Sequence, residues 1–495
     1  MKWFIIALAA AAALIGIGLV ATGSHEDGRV SRNPEAAALC EEGTTDLHAY
    51  RFKAAVEKLG RSLEEDPSLA EASISRTMAF LSLRERNNMK RELARADSLT
   101  ETLRDDQRRL VAQFRLGTLP ESRYYAMRDS VYDLLLKRTP NDIYVLEVEA
   151  ERAKQEGDPE KAASVWRRIL DGNPNYAKAY NELGYIELNR GNYDLAIEHM
   201  QKYAFLAPNL ANPHDSLGDV YRVLGRYEEA EAEYQAAVRM QPDFYFSLIN
   251  IGKVYLARGQ LKRGIEILET LRTQFAGSEL ESGVDREIIG TYLRAGLTSE
   301  LDEAARRFIG RYPDAEDASI YRATRLAYLG REAEARAVMD SSLAEARASK
   351  RYSEHPGERD GVEFAALQFD GITADLRGDR AHAAEAWAAA IEILKHKLPD
   401  YELFSLRIRL ADALRGSSRP REALAQIDQV LAVNPRLPEM LRLKAQCHRD
   451  LGDTEAAALA LTQLDRALAK ADPDLPILRE AAELHRQLGG GQPVP

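Results

Sequence analysis

Between Tyr227 and Val238 the apolar and small residues Tyr227, Ala230, Tyr234, Ala237 and Val238 stand three, four or seven positions apart. That spacing puts them on one side of an α-helix as a stripe that must face a neighbour. The stripe is repeated. Tyr193, Tyr227 and Leu261 hold one apolar slot at intervals of 34 residues, and Ala196, Ala230 and Gly264 hold a small one. Gly184, Gly218 and Gly252 keep the same interval, as do Gly191, Gly225 and Gly259, and Pro174, Pro208 and Pro242. Each copy divides into two runs of helical length. The glycine at 191, 225 or 259 falls in the gap, where a left-handed residue ends the first helix at little cost. The unit is therefore a helical hairpin, and one hairpin cannot bury its own stripe. Stacked hairpins bury it in a continuous core, so the pattern predicts an all-α solenoid of antiparallel helix pairs. Glycine at 184, 218 and 252 lets helix axes approach to roughly 8–9 Å.

The copies "NELGYIELNRGNYDLAIEHMQKYAFLAPN", "DSLGDVYRVLGRYEEAEAEYQAAVRMQPD" and "INIGKVYLARGQLKRGIEILETLRTQFAG" resemble the tetratricopeptide repeat. The resemblance implies a right-handed superhelix whose concave surface is lined by the first helix of each pair. Stepping back 34 residues from Gly191 and Ala196 gives Gly157 and Ala162, with Trp166 and Pro174 in matching slots, so 143–276 is the strongest part of an array expected over 36–349. Near the start, Phe52, Ala55, Leu59 and Pro67 keep the spacing of a second helix. The charged stretch Arg84–Leu110 reads as part of two hairpins with a lengthened helix. Lys350–Gly361, "KRYSEHPGERDG", has the composition of a hinge or loop. A second repeat segment is expected over 362–488, closed by a capping helix at Leu478–Leu488, with a disordered tail at 489–495.

Residues Trp3–Ala21 are uncharged and apolar, with Lys2 before them and His25-Glu26-Asp27 after. We read 1–23 as a signal peptide or transmembrane anchor, followed by a linker at 24–35. A helix of this length nearly spans a hydrocarbon core of roughly 30 Å. The charge order places the N-terminus inside. The repeats are then expected to be extracytoplasmic, tethered if the segment stays and periplasmic or secreted if it is cleaved. The formal net charge of -11 argues against nucleic acid as a partner, since that binding needs clustered Lys and Arg.

Metalloprotease, phosphate-loop and nucleophile-elbow motifs are absent from the sequence. Cys40 and Cys447 read as packed thiols, and no metal or cofactor is expected. His199 beside Glu198 reads as a surface pair. The expectation is a non-enzymatic scaffold that binds a protein or peptide in the concave groove. The alternative is an enzyme, or a subunit regulating one, with a site in the divergent segments. Projected onto repeat geometry, the groove presents Tyr144, Glu147, Glu151 and Lys154, then Lys178, Asn181, Tyr185 and Asn189. Beyond them it presents Asn212, Asp215, Asp219 and Arg222, then Phe246, Ile249 and Lys253. Asp215 is placed on the open side. The carboxylate clamp of chaperone-binding repeats is absent here: the matching slots hold Asn181 and Tyr185, then Ser216, then Phe246 and Asn250. The asparagine ladder of protein O-glycosyltransferases retains one rung, Asn250.

Overall fold

The structure, a computed structural model, describes residues 33–489 apart from 49–50, 84, 100–140, 142, 316 and 355. The apolar run at 3–21, residues 100–110 of the charged stretch and the tail beyond Gly489 lie outside the described residues. Among the described residues no helix is long and apolar enough to cross a membrane. Every regular element among them is helical.

Helices follow one another in antiparallel pairs. The first are α1 (Pro34–His48) with α2 (Phe52–Glu65) and α3 (Ala70–Ser82) with α4 (Arg86–Ser98). After the undescribed stretch come α5 (Ile143–Gln155) with α6 (Pro159–Gly172), α7 (Ala177–Asn189) with α8 (Tyr193–Leu206), α9 (Asn212–Val223) with α10 (Tyr227–Met240), and α11 (Tyr245–Ala257) with α12 (Leu261–Gln274). Then come α13 (Glu279–Ala295) with α14 (Thr298–Arg311), and α15 (Ala318–Tyr328) with α16 (Glu332–Ala348). The C-terminal part holds α17 (Lys350–Glu354), α18 (Pro356–Arg377) with α19 (Arg380–Leu394), a 3-10 turn at Asp400–Leu403, α20 (Phe404–Gly416) with α21 (Pro420–Val433), α22 (Pro438–Asp450) with α23 (Thr454–Ala467), and the closing α24 (Pro476–Gln487).

Two of the three close-approach glycines do what their spacing requires, whereas a Cβ at Gly252 would meet Leu268 only at 3.4 Å. A Cβ at Gly218 would stand 2.7 Å from the Tyr234 ring, and one at Gly184 would stand 2.7 Å from the end of Met200. The stripe on α10 is buried as expected: Tyr227, Ala230 and Tyr234 lie in one core with Val220, Ile251 and Val254, and Ala237 lies in a smaller one with Ala211 and Phe244. Trp166 and Trp387 fill equivalent places in the cores of the α5–α7 and α18–α22 stretches.

At Lys350–Gly361 the structure differs from the expected hinge. The chain there is helical, and Pro356 is the first residue of α18, a position where a missing N–H breaks no helical bond. The long α18 packs on α15, α16 and α19, so the stack continues through it. Glu363 receives the Arg347 guanidinium at 2.6 and 3.0 Å and the Tyr352 hydroxyl at 2.8 Å. Mixed charge here serves helix-to-helix pairing.

The array also returns on itself. Tyr401 meets Asn189, Asn434 meets Tyr227, Arg436 meets Glu228 and Asp472 meets Lys262, at sequence separations of 212, 207, 208 and 210. Four contacts at nearly one separation mean that about six repeats complete one superhelical turn. On the N-terminal side these contacts fall on the turns inside each pair, and on the C-terminal side on the turns between one pair and the next. The opposite edge of the same repeats, around Phe244, Phe246 and Phe275, meets Phe52, Lys53 and Leu83 of the N-terminal pairs, with the Lys53 ammonium 4.9 Å from the Phe275 ring centre.

Candidate functional site

Helices α7, α9 and α11 are the first helices of consecutive pairs, and they touch one another directly along the inner face. Their facing positions repeat every 34 residues, so side chains one period apart meet. Tyr185 on α7 donates its hydroxyl to Asp219 Oδ2 on α9 at 3.0 Å. Tyr234 reaches in from α10 and donates to Asp219 Oδ1 at 2.7 Å, while the Arg222 guanidinium lies 3.5 Å from the same oxygen. Asn250 on α11 donates its amide to Asp219 Oδ1 at 3.2 Å and to Asp215 Oδ1 at 3.4 Å. The Ser247 hydroxyl donates to Asp215 Oδ1 at 2.7 Å. The result is one continuous polar network in which two carboxylates share one guanidinium.

Electrostatics follow from that count. Burial, then the neighbouring Asp219 charge, pushes the Asp215 carboxyl up to about 7. Burial and the same carboxylates push the Tyr185 and Tyr234 phenols well above their ordinary value, so both are held as neutral donors.

On either side of the network the inner face carries ion pairs. Lys178 Nζ lies 3.0 Å from Glu147 Oε1, which also accepts the Tyr176 hydroxyl at 2.5 Å. Burial nevertheless raises Glu147. Lys154 pairs with Glu182 at 3.1 Å; against the upward push of burial, Lys154 and Lys178 hold Glu182 below its ordinary range. Farther along, Lys253 and Arg294 both approach Glu287, at 3.6 and 3.2 Å. Glu151 is buried. The side-chain oxygen of Asn181, Oδ1, is shielded and has no hydrogen-bond partner.

The structure brings Tyr185, Asp215, Asp219 and Arg222 into one cluster and seats Glu147 with Lys178 beside it. The Tyr144 side chain is outside the described set. Three placements differ from the projection. Asp215 is 7% exposed and not open, because Ser247 and Asn250 of the next pair close over it. Asn212 turns its amide to the Tyr203 hydroxyl on α8 at 3.1 Å. Phe246 leaves the groove for the outer edge, where it stacks on Tyr245 with ring centres 4.0 Å apart. Asn189 faces a residue the pattern could not foresee: its Oδ1 accepts the Tyr401 hydroxyl at 2.7 Å. Sequence reasoning also missed Tyr234 and Ser247. The former was read as core only, although a buried Tyr hydroxyl needs a partner, and that requirement was the available signal.

These paired helices, small-residue contacts and an inner face built from first helices define an α-helical repeat solenoid. Within it, residues 148–211, 216–279 and 408–476 are tetratricopeptide repeats, matching the family described as "Tetratricopeptide repeat". Among curated proteins, the chain is 28% identical over 105 residues to Superkiller complex protein 3 of Mus musculus, covering 21% of this chain and 7% of that one. It is 27% identical over 311 residues to Cellulose synthase operon protein C of Xanthomonas axonopodis pv. citri, covering 59% of this chain and 19% of that one. The chain thus spans less than a fifth of the length of either relative. Among solved structures, the Cut9-Hcn1 hetero-tetramer of the APC/C aligns over 92% of this chain and 84% of that chain, at 14% identity and a TM-score of 0.43.

Proposed function

We propose that the chain is a non-enzymatic scaffold that holds a protein or peptide partner along the inner face of α5 to α13, without metal or cofactor. One observation carries the reading: the Asn181 side-chain oxygen is shielded and unpaired, one helical turn from Tyr185 of the polar network. An unpaired buried acceptor costs free energy of about 1–3 kcal/mol. The Asn181 side chain as a whole is half-buried, so a turn of its carboxamide would bring that oxygen to a partner's backbone N–H, while the network holds the surrounding groups in fixed positions. Tetratricopeptide repeats at 148–211 and 216–279 support the same reading, since they cover this face.

We further propose that the repeats are extracytoplasmic, following the charge order around Trp3–Ala21. A reporter active only after export, fused after Leu488, should be active; activity solely from a cytosolic reporter would reverse the topology. For binding, immobilised full-length chain should capture a partner from cell extract, and chelator should not release it. Asn181→Ala should lower affinity for that identified partner about tenfold while leaving the thermal transition in place. Unchanged affinity in the folded variant would move the surface off the inner face.

A further inference from the structure

The contacts between successive superhelical turns form a defined set. Asn434 is buried, donates its amide to the Tyr227 hydroxyl at 3.0 Å, and accepts the Arg436 N–H at 3.2 Å. Arg436 forks onto both oxygens of Glu228, at 2.5 and 3.1 Å. Asp472 closes the far end: its carboxylate accepts the Lys262 N–H at 2.8 Å and its own N–H donates to the Gly259 carbonyl at 3.0 Å. Tyr401 closes the near end on Asn189, at the rim of the groove.

The glycines in these turns have a second role. Gly191, Gly225 and Gly259 share a left-handed backbone, with φ of 80°, 70° and 72°. A Cβ at Gly191 would meet only its own neighbour Tyr193, at 3.7 Å. At Gly225 it would collide with the Asn434 carboxamide, and at Gly259 it would stand 2.7 Å from the Ala471 Cβ. In two of the three turns the glycine itself is therefore also in contact with the next superhelical turn.

This interface is polar and exposed at its margins. The Arg436–Glu228 side chains are 36% and 54% exposed, and the Lys262–Asp474 pair is 70% and 65% exposed. Such pairs are weak and are screened by salt. Each flanking stretch keeps its own core: one around Tyr234, one around Trp387 and Ile427, one around Leu461 and Leu464. Separating the turns leaves the buried residues of those cores assembled, while it lifts Tyr401 and Val433 off the Tyr234 core and Leu468, Ala471 and Leu475 off Gly259. We propose that docking of residues 400–474 onto the turns at 189–193, 224–228 and 259–262 is a reversible latch that closes the superhelix and seals the rim of the inner face. When the latch opens, Tyr401 leaves Asn189 and that rim becomes accessible.

The latch is read on the full chain with no partner present, so it stands or falls separately from the binding reading. Small-angle scattering reports the maximum dimension, and amide exchange reports the peptides spanning 222–230 and 432–438. Glu228→Arg and Arg436→Glu should each enlarge the particle and speed exchange in both peptides several-fold, and the double exchange should restore both. Gly225→Ala should open the chain, whereas Gly191→Ala, with equal backbone strain and no docked neighbour, should not. Raising sodium chloride from about 0.02 M to about 1 M should open the unaltered chain at constant helical content, a readout that needs no variant to fold. A particle of constant dimension and exchange across the salt series would overturn the latch. So would equal opening by the two glycine changes, because local strain would then explain it.

Discussion

Tyr185 and Asp219 stand one repeat apart and join by a 3.0 Å hydrogen bond, so each occupies in its own helix pair the slot the other occupies in the next. The repeat period is thereby converted into contact: what recurs along the chain becomes adjacent across the inner face. Breaking that contact should expose coupling. Tyr185→Phe and Asp219→Asn should each destabilise by about 1–3 kcal/mol. Their double variant should lose at least 0.5 kcal/mol less than the sum, measured by urea denaturation. Strict additivity would mean the bond contributes nothing.

Close approach at the repeat glycines predicts unequal responses to one methyl group. Gly218→Ala places a Cβ 2.7 Å from the Tyr234 ring and should cost about 1–3 kcal/mol by overpacking. Gly252→Ala meets Leu268 at 3.4 Å, ordinary contact, and gains helix propensity of up to about 1 kcal/mol. Chemical denaturation midpoints should therefore fall for the first and hold or rise for the second.

The raised carboxyl of Asp215 makes a pH prediction. With its native value at about 7 and an unfolded value near 3.9, the native chain keeps a proton that the unfolded chain has released. The unfolded state then binds fewer protons, so this group's contribution to stability falls as pH rises from about 4 to about 7. Asp215→Asn keeps an acceptor for Ser247 and removes the titration. The variant's melting temperature minus that of the unaltered chain should increase between pH 5 and pH 7 and then level. Parallel curves would assign the proton elsewhere.

Cys40 and Cys447 are free and buried, and burial pushes both thiols up to about 12. Thiolate is the reactive form. A chromogenic disulfide reagent at pH 8 should therefore titrate almost no thiol in the folded chain and two after denaturation. Rapid reaction of either one before unfolding would contradict its placement.

Much of this was legible along the chain, for a physical reason. The glycine that ends a first helix, the glycine under Tyr234 and the stripe from Tyr227 to Ala237 each answer to contacts within one hairpin or between neighbouring hairpins. Asp215 was misplaced because a helical projection sees its own helix, whereas Ser247 and Asn250 close over it from the next pair. Lys350–Gly361 was misread because Pro and Gly suggest a break. Pro356 begins a helix, and Arg347 and Tyr352 hold Glu363 from outside it.

The sequence by itself determined that the chain forms paired helices in a repeating stack, and which positions must be small, because helix periodicity and close packing act over a few residues and recur at each repeat. Only the tertiary structure decided that Tyr401 would meet Asn189 and that Asn434 would meet Gly225 and Tyr227. Those meetings depend on the small rotation added by each pair and summed over about six of them, and no residue encodes that sum locally.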